Sequence, residues 1–466
     1  MGELLRQNGL SVLKMIIIFD LDGTLLNTLD DLGYACNHAL RLSGFPEHPI
    51  EAYPRMVGNG INNLIRRALP ETERTEENVL RVRAHFVPYY DEHNCDFTRP
   101  YPGVPELLHT LKAQGCQLAV ASNKYQAATE KIVNRFFPGI FDVVLGEREG
   151  IPRKPNPQIV SDILSTLHSS LFTLNSSLFT LNSSLFTLHS SLLTLHSSLS
   201  TLHSSLLTLN SSLIYIGDSL VDRETAANAN IPFVACSWGF VPREQLVDGD
   251  AGYVADHPQD ILLFTHIARN ILPQYDAFDA GHRRDHAETV IQESLKLARA
   301  SHADERMAYV VAAYHDLGLR FDRENHHIHS GRILMEDEAL HRWFTPEQLT
   351  TMRDAVEDHR ASGEHPPRSL YGAIVAEADR QIQPLTVIRR TMAFSAALFP
   401  EADFETLYRR SREHLLEKYA EGGYLRLWLR SERNVMGLQA LRTIIADEEQ
   451  LRAICRNCYD NPTESK

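Results

Sequence analysis

Residues 15–25, MIIIFDLDGTL, constrain the fold more than any other stretch of the chain. A run of isoleucines closed by phenylalanine predicts a buried parallel strand, because a strand covered on both faces carries an unbroken apolar run. Asp20 and Asp22 stand at its C-terminal end, where open α/β sheets place their ligands. Residues two apart on an extended chain face the same side, so both carboxylates address one site. Gly23 lets the backbone approach an anion. In that arrangement Asp20 can attack an electrophile and Asp22 can move a proton. The competing interpretation of D-x-D-G-T is a Ca²⁺ loop or an ordinary strand-end turn, but an EF-hand needs further acidic ligands ending in Glu and a preceding helix.

Beyond Leu25 the pattern turns helical: Leu32, Ala35, Cys36, Ala39 and Leu40 share one face, and helix-like segments continue to about Asp96. A helical cap over 27–98 is expected above the strand ends, excluding water and reading the unreacting part of a substrate. Gly58, Asn59 and Gly60 either bring backbone to that ligand or form a plain turn. From Tyr101 an α/β rhythm returns, with a helix through Leu107 and Leu111, a strand over 117–121 ending in Ser122 and Asn123, and a strand over 141–145. Lys154 follows in R-K-P-N-P, and residues 214–216 lead into G-D-S-L-V-D at 217–222. A hydroxyl and an amide at a strand end can hold phosphate oxygens, and prolines stiffen the loop of a lysine able to neutralise a phosphoryl charge. Asp20, the Asp22 carbonyl and Asp218 would supply hard oxygens for Mg²⁺, with Asp222 bound through water or behind them.

The set D-L-D-G-T, S-N, K-P and G-D-S-x-x-D resembles the haloacid dehalogenase-like phosphatases, and with the helical insertion after Asp22 it is similar to their phosphoglycolate phosphatase branch, over about 15–265. The resemblance implies a doubly wound α/β parallel sheet with a helical cap, and small phosphorylated substrates like phosphoglycolate. It makes Asp20 a nucleophile that forms an aspartyl-phosphate and Asp22 the group that protonates the leaving alcohol and then activates water. Ser122 would hold the phosphoryl group, Lys154 would neutralise it, and Gly23, Thr24 and Asn123 would contact the substrate. Mg²⁺ would bridge Asp20, Asp218 and phosphate, with Asp22 and Asp222 completing the metal residues.

Between 163 and 214 the chain departs from that pattern, with six copies of the heptad [HN]-S-S-L-x-T-L from His168 to Leu209 and a partial copy after them. Leucines at alternating spacings of three and four make one helical stripe, whereas on a strand an odd period would flip the stripe at each repeat. The readings, in order, are a helix continuing from the preceding one, a disordered or aggregation-prone loop, and a coil joining copies into a homo-oligomer. His168, His189, His196 and His203 are taken as passengers of the repeat.

After about Pro273 helical periodicity runs to the end. His282 and His286 lie one turn apart, with Val290 and Ile291 behind them; an apolar segment ends in His315-Asp316, and Asp379 closes an apolar helix from Ala373. Imidazole and carboxylate together can bind a transition metal that activates water. The order His286, His315-Asp316, Asp379 resembles the HD-domain metal-dependent phosphohydrolases over about 276–400. The resemblance implies those four residues as ligands of one divalent metal (Mn, Fe, Ni or Zn) in an all-α domain. His327 and His359 would join a second metal or hold a phosphate, while His282, His326 and His329 are expected to be solvated. Leu319 stands where a lysine often follows, with Arg320 the available substitute.

In 466 residues, 46 Lys+Arg against 60 Asp+Glu give a net charge of −14, which argues against a broad basic surface for nucleic acid. Apolar runs are too short for a bilayer, and six scattered cysteines fit a reducing cytoplasm, Cys455 and Cys458 reading as a free thiol pair. The expected organisation is an N-terminal extension over 1–14, a phosphatase domain over 15–272 with the repeat inserted at 168–209, and a helical domain over 273–466. Two functions remain open for the helical half: a second phosphohydrolase, or a metal-binding module that senses a nucleotide-like phosphate without turnover.

Overall fold

Strand β1 (Ile16–Phe19) forms as its sequence dictates: all four residues are at most 1% exposed, and each apolar side chain removed from water contributes about 1.5–3 kcal/mol. In the computed structural model, which describes residues 14–167, 213–247, 252–278, 282–360 and 365–461, β1 lies inside a sheet. The extension (apart from residue 14) and the heptad repeat lie outside the described residues. The chain divides into two units, 1–269 and 270–466.

In the first unit β1 leads through β2 (Leu26–Asn27) into three cap helices, α1 (Leu29–Leu42), α2 (Ile61–Ala68) and α3 (Glu76–His93). The return strand β3 (Arg99–Pro100) pairs antiparallel with β2, so the two linkers of the cap run side by side. The cap has its own core, including Leu32, Cys36, Tyr53, Ile65, Phe86 and Tyr90. Asp31 is buried yet satisfied, accepting hydrogen bonds from the backbone N–H groups of Phe97 and Thr98 and from the Thr98 hydroxyl. It ties the first cap helix to the returning chain.

The α/β part continues with α4 (Val104–Ala113), β4 (Gln117–Tyr125), α5 (Gln126–Phe136), β5 (Val143–Glu147) and α6 (Gln158–Leu167). It resumes with β6 (Leu213–Gly217), α7 (Leu220–Asn228), β7 (Phe233–Cys236), α8 (Arg243–Leu246), β8 (Val254–Ala255) and α9 (Pro258–His266). The sheet order is β5-β4-β1-β6-β7-β8 with every pairing parallel. Winding thus proceeds from β1 to one side and then returns to the other, so the direction reverses between β1 and β6. A ligand crevice opens beyond the carboxyl ends of those two strands. Two strands differ from expectation. β5 begins two residues later, and β4 extends through Ser122, Asn123 and Lys124 to Tyr125, with an irregular register between Ala121 and Tyr125 that re-aims the intervening side chains.

The second unit is helical, without a strand among its described residues: α10 (Arg284–Ala300), α11 (Glu305–Tyr314), α12 (His326–Glu336), α13 (Pro346–Asp358) and α14 (Leu370–Asp379). These five pack on one another, α14 being apolar nearly all round. Helices α15 (Pro384–Leu398), α16 (Phe404–Tyr419), α17 (Glu432–Ala446) and α18 (Glu448–Asp460) share a further core around Ile388, Leu407, Leu415 and Leu441. Cys455 and Cys458 of α18 are free thiols. Among the described residues, no helix is long and apolar enough to cross a membrane.

Candidate active site and candidate metal centre

Asp20 follows β1 and Asp218 follows β6, so the reversal of winding sets two carboxylates side by side. Together with Asp222 they offer oxygens within 4.8 Å of one another. Lys154 reaches into this group: its Nζ is 2.9 Å from Asp20 Oδ1 and 2.7 Å from Asp222 Oδ1, and it donates to the Ala121 carbonyl at 2.9 Å and the Tyr215 hydroxyl at 3.1 Å. Burial opposes the charge on Lys154, but Asp20 and Asp222 outweigh it and hold the ammonium firmly protonated. Burial, followed by the charge of Asp222, pushes Asp20 well above the usual carboxylate range and Asp218 to about 7. Crowded hard oxygens with one ammonium among them fit a divalent cation such as Mg²⁺. Asp222 stands behind the others, since its second oxygen accepts from the Ser219 hydroxyl at 2.5 Å and caps α7.

Asp22 Oδ1 accepts from the Thr28 hydroxyl at 2.7 Å and lies 3.2 Å from Lys124 Nζ. Gly23 has φ +86, and a Cβ there would stand 2.2 Å from Asp218 Oδ2, so glycine is required twice over. Two residues expected to touch substrate also make contacts within the site. The Thr24 hydroxyl donates to Asp218 Oδ1 at 3.1 Å, and both ends of the Asn123 amide engage the Lys154 backbone, at 3.2 and 3.0 Å. These contacts help to place Asp218 and Lys154, while Asn123 also lines the cavity described below.

Above these groups is a cavity of about 90 Å³. Asp20, Asp22, Ser122 and Lys154 form its floor, and Leu32, Val57, Leu64 and Tyr90 of the cap its roof. Gly58, Asn59 and Gly60 also line it. Sequence reasoning missed Lys124 and Tyr90. Lys124 was hidden behind the S-N pair, and Tyr90 reads as one more apolar residue of a cap helix.

The family model for haloacid dehalogenase-like hydrolases matches residues 17–171. The phosphoglycolate phosphatase of Aquifex aeolicus (strain VF5) is 33% identical over 153 residues, which is 33% of this chain and 70% of that protein. This chain belongs to the haloacid dehalogenase-like hydrolases. Within the family, the phosphoglycolate phosphatase of Mannheimia succiniciproducens is 38% identical over 149 residues, 30% of this chain and 66% of its own length. The chain thus spans about two thirds of the length of the curated relatives it matches. A solved structure from Haemophilus somnus 129pt, described as a predicted phosphoglycolate phosphatase, covers 54% of this chain and 98% of its own at 27% identity, with a TM-score of 0.42.

In the second unit, α10, α11, α12, α13 and α14 each bring a ligand-type residue to one place. His286 Nε2 is 3.2 Å from Asp379 Oδ1, 3.4 Å from His315 Nε2 and 3.7 Å from Asp316 Oδ2. On the other oxygen of Asp316, His326 Nε2 lies at 3.5 Å and His359 Nε2 at 3.4 Å, with 3.1 Å between the two rings' nitrogens. Asp316 therefore faces two groups at once. The Nδ1 atoms of His315, His326 and His359 each meet a backbone carbonyl, of Ala312, Arg323 and Val356, at 2.7, 2.8 and 2.6 Å. Such bonds favour the ring proton on Nδ1 and turn the Nε2 atoms inward, an arrangement suited to holding a cation. Burial opposes charge on His315, and Asp316 overcomes it, raising the ring to about 9, while burial and His359 lower His326 to about 4. The donor set fits a divalent transition metal.

One expectation is corrected here. His326, expected to be solvated, belongs to the cluster, whereas His327, expected to join a second metal or hold a phosphate, is not among the grouped ligands, and its Nδ1 is buried without a partner. One step along a helix rotates a side chain by about 100°, so only one of two adjacent histidines can face the centre. His329 is paired with Asp322 at 2.7 Å.

Proposed function

We propose that the first unit is a Mg²⁺-dependent phosphomonoesterase for small substrates of the phosphoglycolate type. The observation that carries this reading is the joint placement of Asp20, Asp22 and Lys154 at one small cavity beneath the cap residues. Asp20 attacks phosphorus, forming an aspartyl-phosphate as the ester bond breaks, and Asp22 gives its proton to the departing alkoxide. Asp22, now a carboxylate, takes a proton from the water that cleaves the aspartyl-phosphate and restores Asp20. Lys154 offsets charge on the phosphoryl oxygens, and Ser122 holds them. Asp20 and Asp218 would hold Mg²⁺, which supplies further neutralisation of that charge. In a panel of small phosphomonoesters and nucleotides, Asp20→Asn is expected to lose phosphomonoester turnover by at least about 10³-fold. Retained turnover in that variant would sink the nucleophile assignment.

The two groups sharing Asp316 favour a second reading for the other unit, a metal-dependent phosphohydrolase of the HD type with paired metals. The alternative is a module that binds metal and a nucleotide-like phosphate without turnover. In the Asp20→Asn full chain, residual hydrolysis of a nucleotide that disappears with Asp316→Ala supports the enzyme. Its complete absence, with metal still bound, supports the module.

A further inference from the structure

Two ammonium groups line the cavity, and they differ in what remains free. Lys154 faces Asp20, Asp222, the Tyr215 hydroxyl and the Ala121 carbonyl, more partners than an ammonium has protons. Lys124 is only 5% exposed and has two side-chain partners, Asp22 Oδ1 at 3.2 Å and the Tyr90 hydroxyl at 2.5 Å, with the Tyr90 ring 4.6 Å away. Its third N–H is uncommitted. We propose that Lys124 is the specificity-determining residue of this site, pairing with a carboxylate carried on the carbon next to the ester oxygen. It would thereby read the carboxylate of the phosphoglycolate-type substrates proposed above, and the assignment rests on that phosphatase reading.

Position supports this. Asp22 protonates the ester oxygen, so that oxygen sits within hydrogen-bond reach of Asp22. Lys124 Nζ touches the same carboxylate, and a substrate carboxyl carbon lies only two bonds beyond the ester oxygen. Leu32, Val57 and Leu64 of the cap, which also line the cavity, are apolar, and a carboxylate buried against such walls needs a cation. The contact with Tyr90 adds a condition: the ammonium is held in place by the cap, so the acid is read when the cap is closed.

The test compares 2-phosphoglycolate with its carboxamide analogue, in which a neutral amide replaces the carboxylate, using the full chain with Mg²⁺. A charge-assisted hydrogen bond predicts a preference for the acid of roughly 10–100-fold in kcat/KM, and Lys124→Met is expected to reduce it to about 3-fold or less. If Lys124→Met lowers both esters by one common factor, the residue only positions Asp22 and the proposal is overturned. Should that variant fail to fold, the unaltered protein still decides, because equal kcat/KM on acid and amide overturns the proposal. A protein that hydrolyses neither ester instead overturns the phosphatase reading, a distinguishable result.

Discussion

At the scale of single residues, the site depends on side chains that are missing as much as on those present. Gly23 holds a left-handed backbone, and its absent Cβ leaves the space that Asp218 occupies. Gly23→Ala is therefore expected to cost about 1–2 kcal/mol of stability from backbone strain. It should also lose activity out of proportion to that cost, because Asp218 must move. Denaturant midpoints beside Mg²⁺-dependent turnover would check this, and a variant that keeps wild-type turnover would contradict it. The positions of Asp20, Asp22, Lys154 and Asp218 were legible in the sequence because each ends a strand or sits between prolines, a local signal. The duties of Thr24, Asn123 and Lys124 were not. Thr24 meets a partner 194 residues away and Lys124 one 34 residues away, and such pairings exist only after the chain has folded.

At the scale of elements, periodicity showed which segments would be helix or strand, and it failed where phase mattered. The first turn of α12 begins with two histidines, so composition could not say which faces inward. The structure turns His326 to Asp316 and His359. His326→Ala is accordingly expected to lower bound transition metal by about one equivalent per chain, and His327→Ala to leave it unchanged. Elemental analysis of the purified variants measures both, and equal losses would contradict the assigned face. The extension of β4 beyond 121 escaped notice for a related reason. Ser, Asn and Lys are poor strand formers, and pairing with β5 outside the irregular register carries them along.

At the scale of the whole molecule, each unit has its own buried core and its own cluster of ligand-type side chains. Binding to a folded state alone raises the stability of that state, so two thermal transitions are expected. One should rise with Mg²⁺ and lose that response in Asp218→Asn; the other should respond to Mn²⁺ or Fe²⁺ and be lowered by chelation. A single transition with one common response would argue against separate sites. The placement of β6 beside β1 also has a consequence for synthesis. At roughly 5–20 residues per second, roughly 10–40 s pass between the making of β1 and of β6. Throughout that interval one edge of β1 has no strand to pair with, and open edges recruit other chains. The repeat at 168–209 lies within this span, so each heptad added to the gene lengthens the time for which the nascent chain is exposed to misassembly.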